Sequence, residues 1–403
     1  MFNRPFISKL LFLIGAYLFS SIVFSSCNST DSENNDNSDC ITIGAVFNET
    51  GWMAAYDQPT KKAVVLAIKH INQNGGILGK ECKLIEFDGK TDPAEVANAT
   101  EKLIEMGAEI IIAPGDFDIG GPACLKTQEN GLVGLSAIAT STKFGSSELG
   151  DKQFTIAMWN NTMGASIAEY GFENRGWQNA WILTDTTIDY SRELSKYFAE
   201  QFTSIGGNLF GEIKFSQNDT DFTDIINTIQ SFQKSADVIY ISSYSPGLLE
   251  IIKQIRNSGI SVPIAGGDTY DDRKLFDELG SDLGYEIYFA THSWLGSGLS
   301  DNMDQFISLY KNEYGHEAES SFIVMGWDLI QLLKKAIESN GSTNGESLAL
   351  QMVVLNYDLL SGNLKWESAS EGHQPLKSAA IIKLTSGEAE FISWWDVESP
   401  PKP

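Results

Sequence analysis

Positive charge is scarce in this sequence: 28 Lys and Arg stand against 53 Asp and Glu, a formal net charge of −25. A field of that sign repels a polyanion or an anionic lipid surface, which excludes nucleic-acid binding as a function class. Cysteine is rare, with four in 403 residues, too few for a disulfide scaffold and never in a C-x-x-C or Cys/His spacing of the zinc type. No metal and no cofactor are expected. The four histidines, His70, His292, His316 and His373, have no cysteine, serine elbow or paired carboxylate at a telling distance. Ser136 lies in Gly-Leu-Ser-Ala-Ile, which lacks the second glycine of a nucleophile elbow, and neither G-x-G-x-x-G nor a Walker loop occurs. Catalysis is therefore not expected. What is present is apolar mass: 42% hydrophobic residues, with 22 Phe and 9 Trp, fill real cores, and the length suggests about two to three domains.

The first residues read as an address. Arg4 and Lys9 precede the apolar run Leu10 to Phe24, with no acid before Asp31. The run is 15 residues long, short of the roughly 20 that span a bilayer. It ends Val-Phe-Ser-Ser-Cys, and small residues before a cysteine resemble a bacterial lipoprotein cleavage box, which makes residues 1–26 a signal and Cys27 the acylated first residue. An ordinary signal cut near Ser26, or an uncleaved anchor, is the alternative. Residues 27–39 carry acids and no apolar side chain beyond Cys27, so they read as a disordered tether. A lipid at one end and a folded unit from Cys40 onward would hold the protein at a membrane without entering it.

From Cys40 the chain alternates β-branched runs with amphipathic ones: CITIGAVF, Met53 to Asn72, KLIEF, Pro93 to Met106, EIIIAP, Cys124 to Asn130, LVGLS. Such alternation predicts a parallel sheet covered on both faces. Asp92, Pro93 and Glu95 form a helix start with a capping box, and Asn74-Gly75-Gly76 is a glycine stop. After a Ser/Gly-rich loop, Ser141 to Gly150, the pattern restarts with WILTD, a helix from Ser191 to Thr203, EIKFS, Phe222 to Ser235, VIYIS, Leu248 to Ser258 and VPIAGG. Apolar-striped helices over Asn302 to Tyr314 and Phe322 to Ser339 follow, then strands LKWES and AAIIKLT. The fold class is α/β, with two Rossmann-like lobes, and ligands of such folds bind where strand carboxyl ends face a crevice.

The pieces IGAVFNETG, INQNGGILGKECKLIEFDGKTDP, the segment around APGDFDIGGP, LSAIAT, and IYISSYSPGLLEIIKQIRNSG followed by PIAGGD occur in an order that covers residues 40 to 396. In that order they resemble type I periplasmic solute-binding proteins, the leucine/isoleucine/valine-binding branch of ABC-transporter receptors. The resemblance implies a Venus-flytrap clamp with discontinuous lobes, 40–159 plus 293–377 and 160–292 plus 378–396. Hinge crossings are expected near Asn160, His292 and Ser378. It also implies an extracytoplasmic, lipid-anchored monomer, periplasmic or at the outer-membrane surface, that captures a small polar solute, a branched-chain amino acid first, and delivers it to an ABC permease. A sensor signalling to a membrane partner is the alternative role.

By the same resemblance, Ile138 and Thr140 meet the ligand's backbone groups, with Ser136 nearby, and Asp268 meets its ammonium. Thr140 as a loop cap and Asp268 as the N-cap of a helix beginning near Asp272 are the alternatives. Tyr56, Tyr190 and Tyr244 match aromatic positions of the family, with ordinary packing as the other reading; Trp52 is a further candidate for the pocket wall. The family's carboxylate-reading serine is missing after Ala113-Pro114, where Gly-Asp-Phe-Asp-Ile-Gly-Gly-Pro stands. Phe117 or Asp118 takes that neighbourhood, Asp118 either facing the ligand or capping a helix that begins near Pro122. The departure opens the ligand class to an amide, a urea-like compound or a cationic solute. Cys40 and Cys82 precede adjacent strands, and an extracytoplasmic setting allows their pairing; simple burial is the alternative.

Overall fold

The computed structural model of the chain describes residues 40–232 and 236–403. The expected signal, Cys27 and the tether lie outside the described residues. The first lobe begins with β1 (Cys40–Phe47), α1 (Ala54–Gln73), β2 (Glu81–Asp88), α2 (Pro93–Glu105), β3 (Ile110–Ala113), α3 (Phe117–Glu129), β4 (Val133–Ser136), α4 (Ser146–Leu149) and β5 (Gln153–Thr155). Its five strands are all parallel, in the order β2-β1-β3-β4-β5. Every residue of Ile-Ile-Ile-Ala in β3 is buried, as a central parallel strand with helices on both faces requires.

Local signals act where the sequence places them. Asp92 accepts from the amides of Ala94 and Glu95 with Pro93 at the first helical position. The reciprocal half of the expected capping box is not formed, because Glu95 reaches Lys90 (3.2 Å) instead. Beyond α1, Gly75 and Gly76 turn the chain at φ +97° and +74°, a region in which a Cβ is strained.

The second lobe is built from α5 (Asn160–Arg175), β6 (Asn179–Asp185), α6 (Asp189–Ser204), β7 (Asn208–Phe215), α7 (Thr223–Ser231), β8 (Val238–Ser242), α8 (Gly247–Asn257), β9 (Ile264–Gly266), α9 (Arg273–Leu283) and β10 (Ile287–Thr291). The chain then returns to the first lobe with α10 (Asp301–Tyr314), α11 (Ser321–Asn340), α12 (Gly345–Val354) and a small ribbon, β11 (Tyr357–Leu359), β12 (Gly362–Trp366) and β13 (Pro375–Leu376). It ends in the second lobe with β14 (Ala379–Thr385) and β15 (Glu388–Trp395). The second sheet has the order β15-β14-β10-β9-β8-β6-β7, parallel except where β14 runs against β10 and β15 against β14. Helix α11 lies on α1, and Gly326 permits the approach: a Cβ there would sit 2.3 Å from the carbonyl of Thr60.

The expected Cys40–Cys82 disulfide is not formed, and both residues are buried. The β1–β2 register aligns Cys40 with Glu81 and Ile41 with Cys82, which sets the two cysteines on alternate faces of the sheet. Burial pushes the Cys82 thiol up to about 11.

Candidate functional site

The loops at the carboxyl ends of β3 and β4 face those after β6, β8 and β9 across a cavity of about 40 Å3. Strand ends converge there because the covering helices start where parallel strands stop, so both lobes present loops and helix N-termini to the same gap. Aromatic rings form much of the wall. Trp52 of the first lobe and Tyr244 of the second lie 4.3 Å apart between ring centroids, and Tyr56 meets Phe322 edge-on at 5.5 Å.

The lobes also touch through polar contacts at the rim. The Tyr56 hydroxyl accepts from the Ser245 amide at 3.1 Å. Asp118 Oδ2 accepts from the Asp189 amide at 2.9 Å, at the start of α6. Glu193 on α6 takes hydrogen bonds from Ser141 Oγ (3.1 Å) and from the Thr142 amide (3.0 Å) and hydroxyl (3.2 Å) of the first lobe, as well as from Asn160 Nδ2 (3.1 Å) of its own lobe, and Lys143 pairs with Asp189. These contacts describe a clamp with its halves together.

Of the side chains singled out from sequence, Tyr56, Ile138, Thr140, Tyr190, Tyr244 and Asp268 line the cavity. Asp268 sits in a short 3-10 turn after β9 and is 3% exposed. Its Oδ1 accepts from the Tyr190 hydroxyl at 2.8 Å, and its Oδ2 lies 2.9 Å from His292 Nε2. A carboxylate only accepts, so this contact places the ring hydrogen on Nε2, and Nδ1 of the fully buried His292 has no partner among the described residues. Asp272, not Asp268, caps α9, through the Lys274 amide. Burial, with the Asp268 charge beside it, raises the Tyr190 phenol well above its ordinary value.

Ser136, Phe117 and Asp118 do not line the cavity. Ser136 is buried and fastens two loops, donating to the Pro114 carbonyl (3.1 Å) and accepting from the Ala139 amide (3.2 Å). The ring of Phe117 lies under Lys143, with Nζ 5.6 Å from its centroid. The expected helix start near Pro122 is corrected: α3 begins at Phe117, Pro122 lies inside it, and the N-cap is Asp116, whose Oδ1 accepts from the Ile119 amide at 3.2 Å. Asp118 is thus freed for its contact across the lobes.

The residue that sequence reasoning passed over is Asp116 itself, which lines the cavity. Burial, with the negative charge of Asp118 next to it, pushes its carboxyl up to about 8. Behind it, Asp57 accepts from the amide and side chain of Asn48 (3.0 and 2.8 Å) and from the Gly115 amide (3.1 Å). Burial outweighs these bonds and pushes Asp57 up to about 7. Asp116 carried a sequence signal, since Asp two residues after Pro114 is a preferred N-cap. Phe322 and His292 come from elements remote in sequence, and only the assembled fold brings them here.

Facing α/β lobes with a loop-lined gap define a solute-binding clamp. Residues 40–389 match the family described as periplasmic binding protein, and the chain belongs to that family. The Leu/Ile/Val-binding protein BraC3 of Rhizobium johnstonii is 24% identical over 302 residues, 75% of this chain and 80% of that protein. Among solved structures, the branched-chain amino acid substrate-binding protein LivJ from Streptococcus pneumoniae, in complex with isoleucine, matches with a TM-score of 0.79 at 24% identity, over 88% of this chain and 99% of that one. A solute-binding protein from R. palustris in complex with benzoate matches with a TM-score of 0.75 at 18% identity, over 88% and 96%. At these identities the structural matches speak for the fold. Membership of the family makes this chain a non-catalytic, extracytoplasmic binding protein.

Proposed function

We propose that the protein captures a small amine-bearing solute between its lobes, with the ammonium on Asp268, and delivers it in the closed form to an ABC permease. The observation that carries this is the buried Asp268 carboxylate at the cavity wall, oriented by Tyr190 and His292. Removing an ammonium from water is costly unless an opposite charge receives it, and a carboxylate held by two neighbours is organised for that. Hinge crossings near Asn160, His292 and Ser378 complete the reading, supported by β5 ending at Thr155, β10 at Thr291 and β14 beginning at Ala379. Tethering through a lipid on Cys27 and a monomeric state belong to the same reading.

A branched-chain amino acid is the ligand that the relatives' names favour. A second reading, a cationic or amide solute, is favoured by Asp116, because a carboxylate in the cavity opposes a ligand carboxylate. A thermal-shift screen of the full-length chain with amino acids, amides and amines tests the function, since a ligand that binds only the native state raises the melting temperature by mass action. At least one amine-bearing solute is expected to stabilise the protein, and Asp268→Ala is expected to weaken it by about 2–5 kcal/mol. An unchanged shift in the variant refutes the assignment.

A further inference from the structure

We infer that the solute held here is a compact organic cation with no free carboxylate, its positive charge shared between Asp116 of one lobe and Asp268 of the other. This rests on the reading above that an amine meets Asp268; what it adds concerns the other end of the ligand. Three observations carry it.

Three of the groups that would serve a ligand carboxylate are already used. The Gly115 amide donates to Asp57 Oδ1 (3.1 Å), the Ser136 hydroxyl donates to the Pro114 carbonyl (3.1 Å), and the Ile119 amide at the start of α3 donates to Asp116 itself (3.2 Å). A helix N-terminus attracts an anion, and here the chain supplies its own. Second, the cavity lining contains two carboxylates and neither Lys nor Arg. Third, five aromatic rings share the wall, with Trp52 against Tyr244 at 4.3 Å and Tyr56 against Phe322 at 5.5 Å. Ring faces carry negative potential and attract ammonium groups, so carboxylates among rings form a lining of one electrostatic sign. A volume of about 40 Å3, room for about three waters, suits a small head group.

Proton linkage gives a second signature. The groups facing Asp116 are Asp118 on its own helix, Asp189 on α6, Tyr244 after β8, and Asp57 on α1 by way of Gly115. Asp189 is paired with Lys143 and Arg192, and Lys143 also faces Glu193 and Asp118, so this neighbourhood brings no unbalanced positive charge. With its carboxyl pushed up to about 8, Asp116 holds a proton much of the time at neutral pH. A cation placed against it expels that proton, whereas a ligand carboxylate needs the proton kept.

The test is isothermal titration of the full-length protein with two pairs that differ only by a carboxylate: leucine with isoamylamine, and alanine with ethylamine. Wild type, Asp116→Asn and Asp268→Asn are compared, Asn being an equally good N-cap that preserves the start of α3. In any pair that binds, the simple amine is expected to bind wild type at least tenfold more tightly than its amino acid, and more tightly at pH 8.5 than at pH 6.5. Asp116→Asn is expected to shrink that preference at least fivefold. An amino acid that binds wild type as tightly as its amine, while Asp268→Asn abolishes both, overturns this inference and leaves the amine reading standing. Amine binding that survives Asp268→Asn, or no binding by any of the four compounds, overturns the amine reading and this inference with it.

Discussion

Behind the cavity, Asp57 joins the loop after β1 to the loop after β3 through bonds to Asn48 and Gly115, so its removal reaches the ligand only through those loops. Asp57→Ala leaves buried donors unsatisfied, and a loss of about 3 kcal/mol in chemical denaturation is expected. Gly115 is fixed by close approach: a Cβ there would lie 2.5 Å from Ile138 Cγ1 and 3.1 Å from Asp57 Oδ1. Gly115→Ala therefore pushes Ile138 towards the cavity, and ligand affinity is expected to fall by about 1–3 kcal/mol in a titration. Affinity equal to that of wild type in this variant would mean the ligand does not use this wall. At the same scale the sequence was informative about the side chains that project from strand ends, Thr140, Tyr244 and Asp268, because strand and helix alternation fixes where those ends lie. It was uninformative about Phe322 and His292, which reach the site only through long-range packing.

Among the elements, α6 makes a cluster of polar contacts between the lobes. Its N-terminus receives the Asp118 carboxylate at the Asp189 amide, where the helix dipole favours negative charge, and Glu193 one turn on takes the Ser141 hydroxyl and the Thr142 amide and hydroxyl of the first lobe. Asp118→Ala removes a contact made only when the lobes are together. Ligand affinity is expected to drop by about 1 kcal/mol, roughly fivefold, with the melting temperature of the ligand-free protein nearly unchanged. A variant whose affinity matches wild type would show that Asp118 plays no part in closure. Most of the alternating elements could be read directly, because β3 is a run of isoleucines and α2 has a full start signal. Helix α5 could not: Asn160 to Gly171 is buried on nearly all sides between the second sheet and α6, so it shows no apolar stripe against a polar face. Strands β14 and β15 turned the second sheet mixed at one edge, and nothing in their composition announced the change of direction.

For the molecule as a whole, buried carboxyls set the pH dependence. Burial holds Asp57 at about 7, Asp116 at about 8 and Asp271 at about 6, all above the ordinary range. Between about pH 4 and those values the native state keeps protons that the unfolded chain has released, so stability is lost as pH rises through them. Lys377 acts the other way and higher: burial lowers it to about 8, and stability is regained as pH rises from there towards its unfolded value near 10.5. Denaturation of the ligand-free protein across this range is expected to show greatest stability near pH 4 and a minimum near pH 8; a steady rise from pH 5 to 8 would contradict the assignment of these buried groups.

The proposed capture depends on a charge at position 268 that receives an ammonium as the lobes meet. Calorimetric titration of Asp268→Asn beside wild type, using whichever amine-bearing solute gives the largest thermal shift, tests it most directly. At least a thirtyfold weaker dissociation constant is predicted for the variant, the equivalent of about 2 kcal/mol. A dissociation constant within twofold of wild type would contradict it.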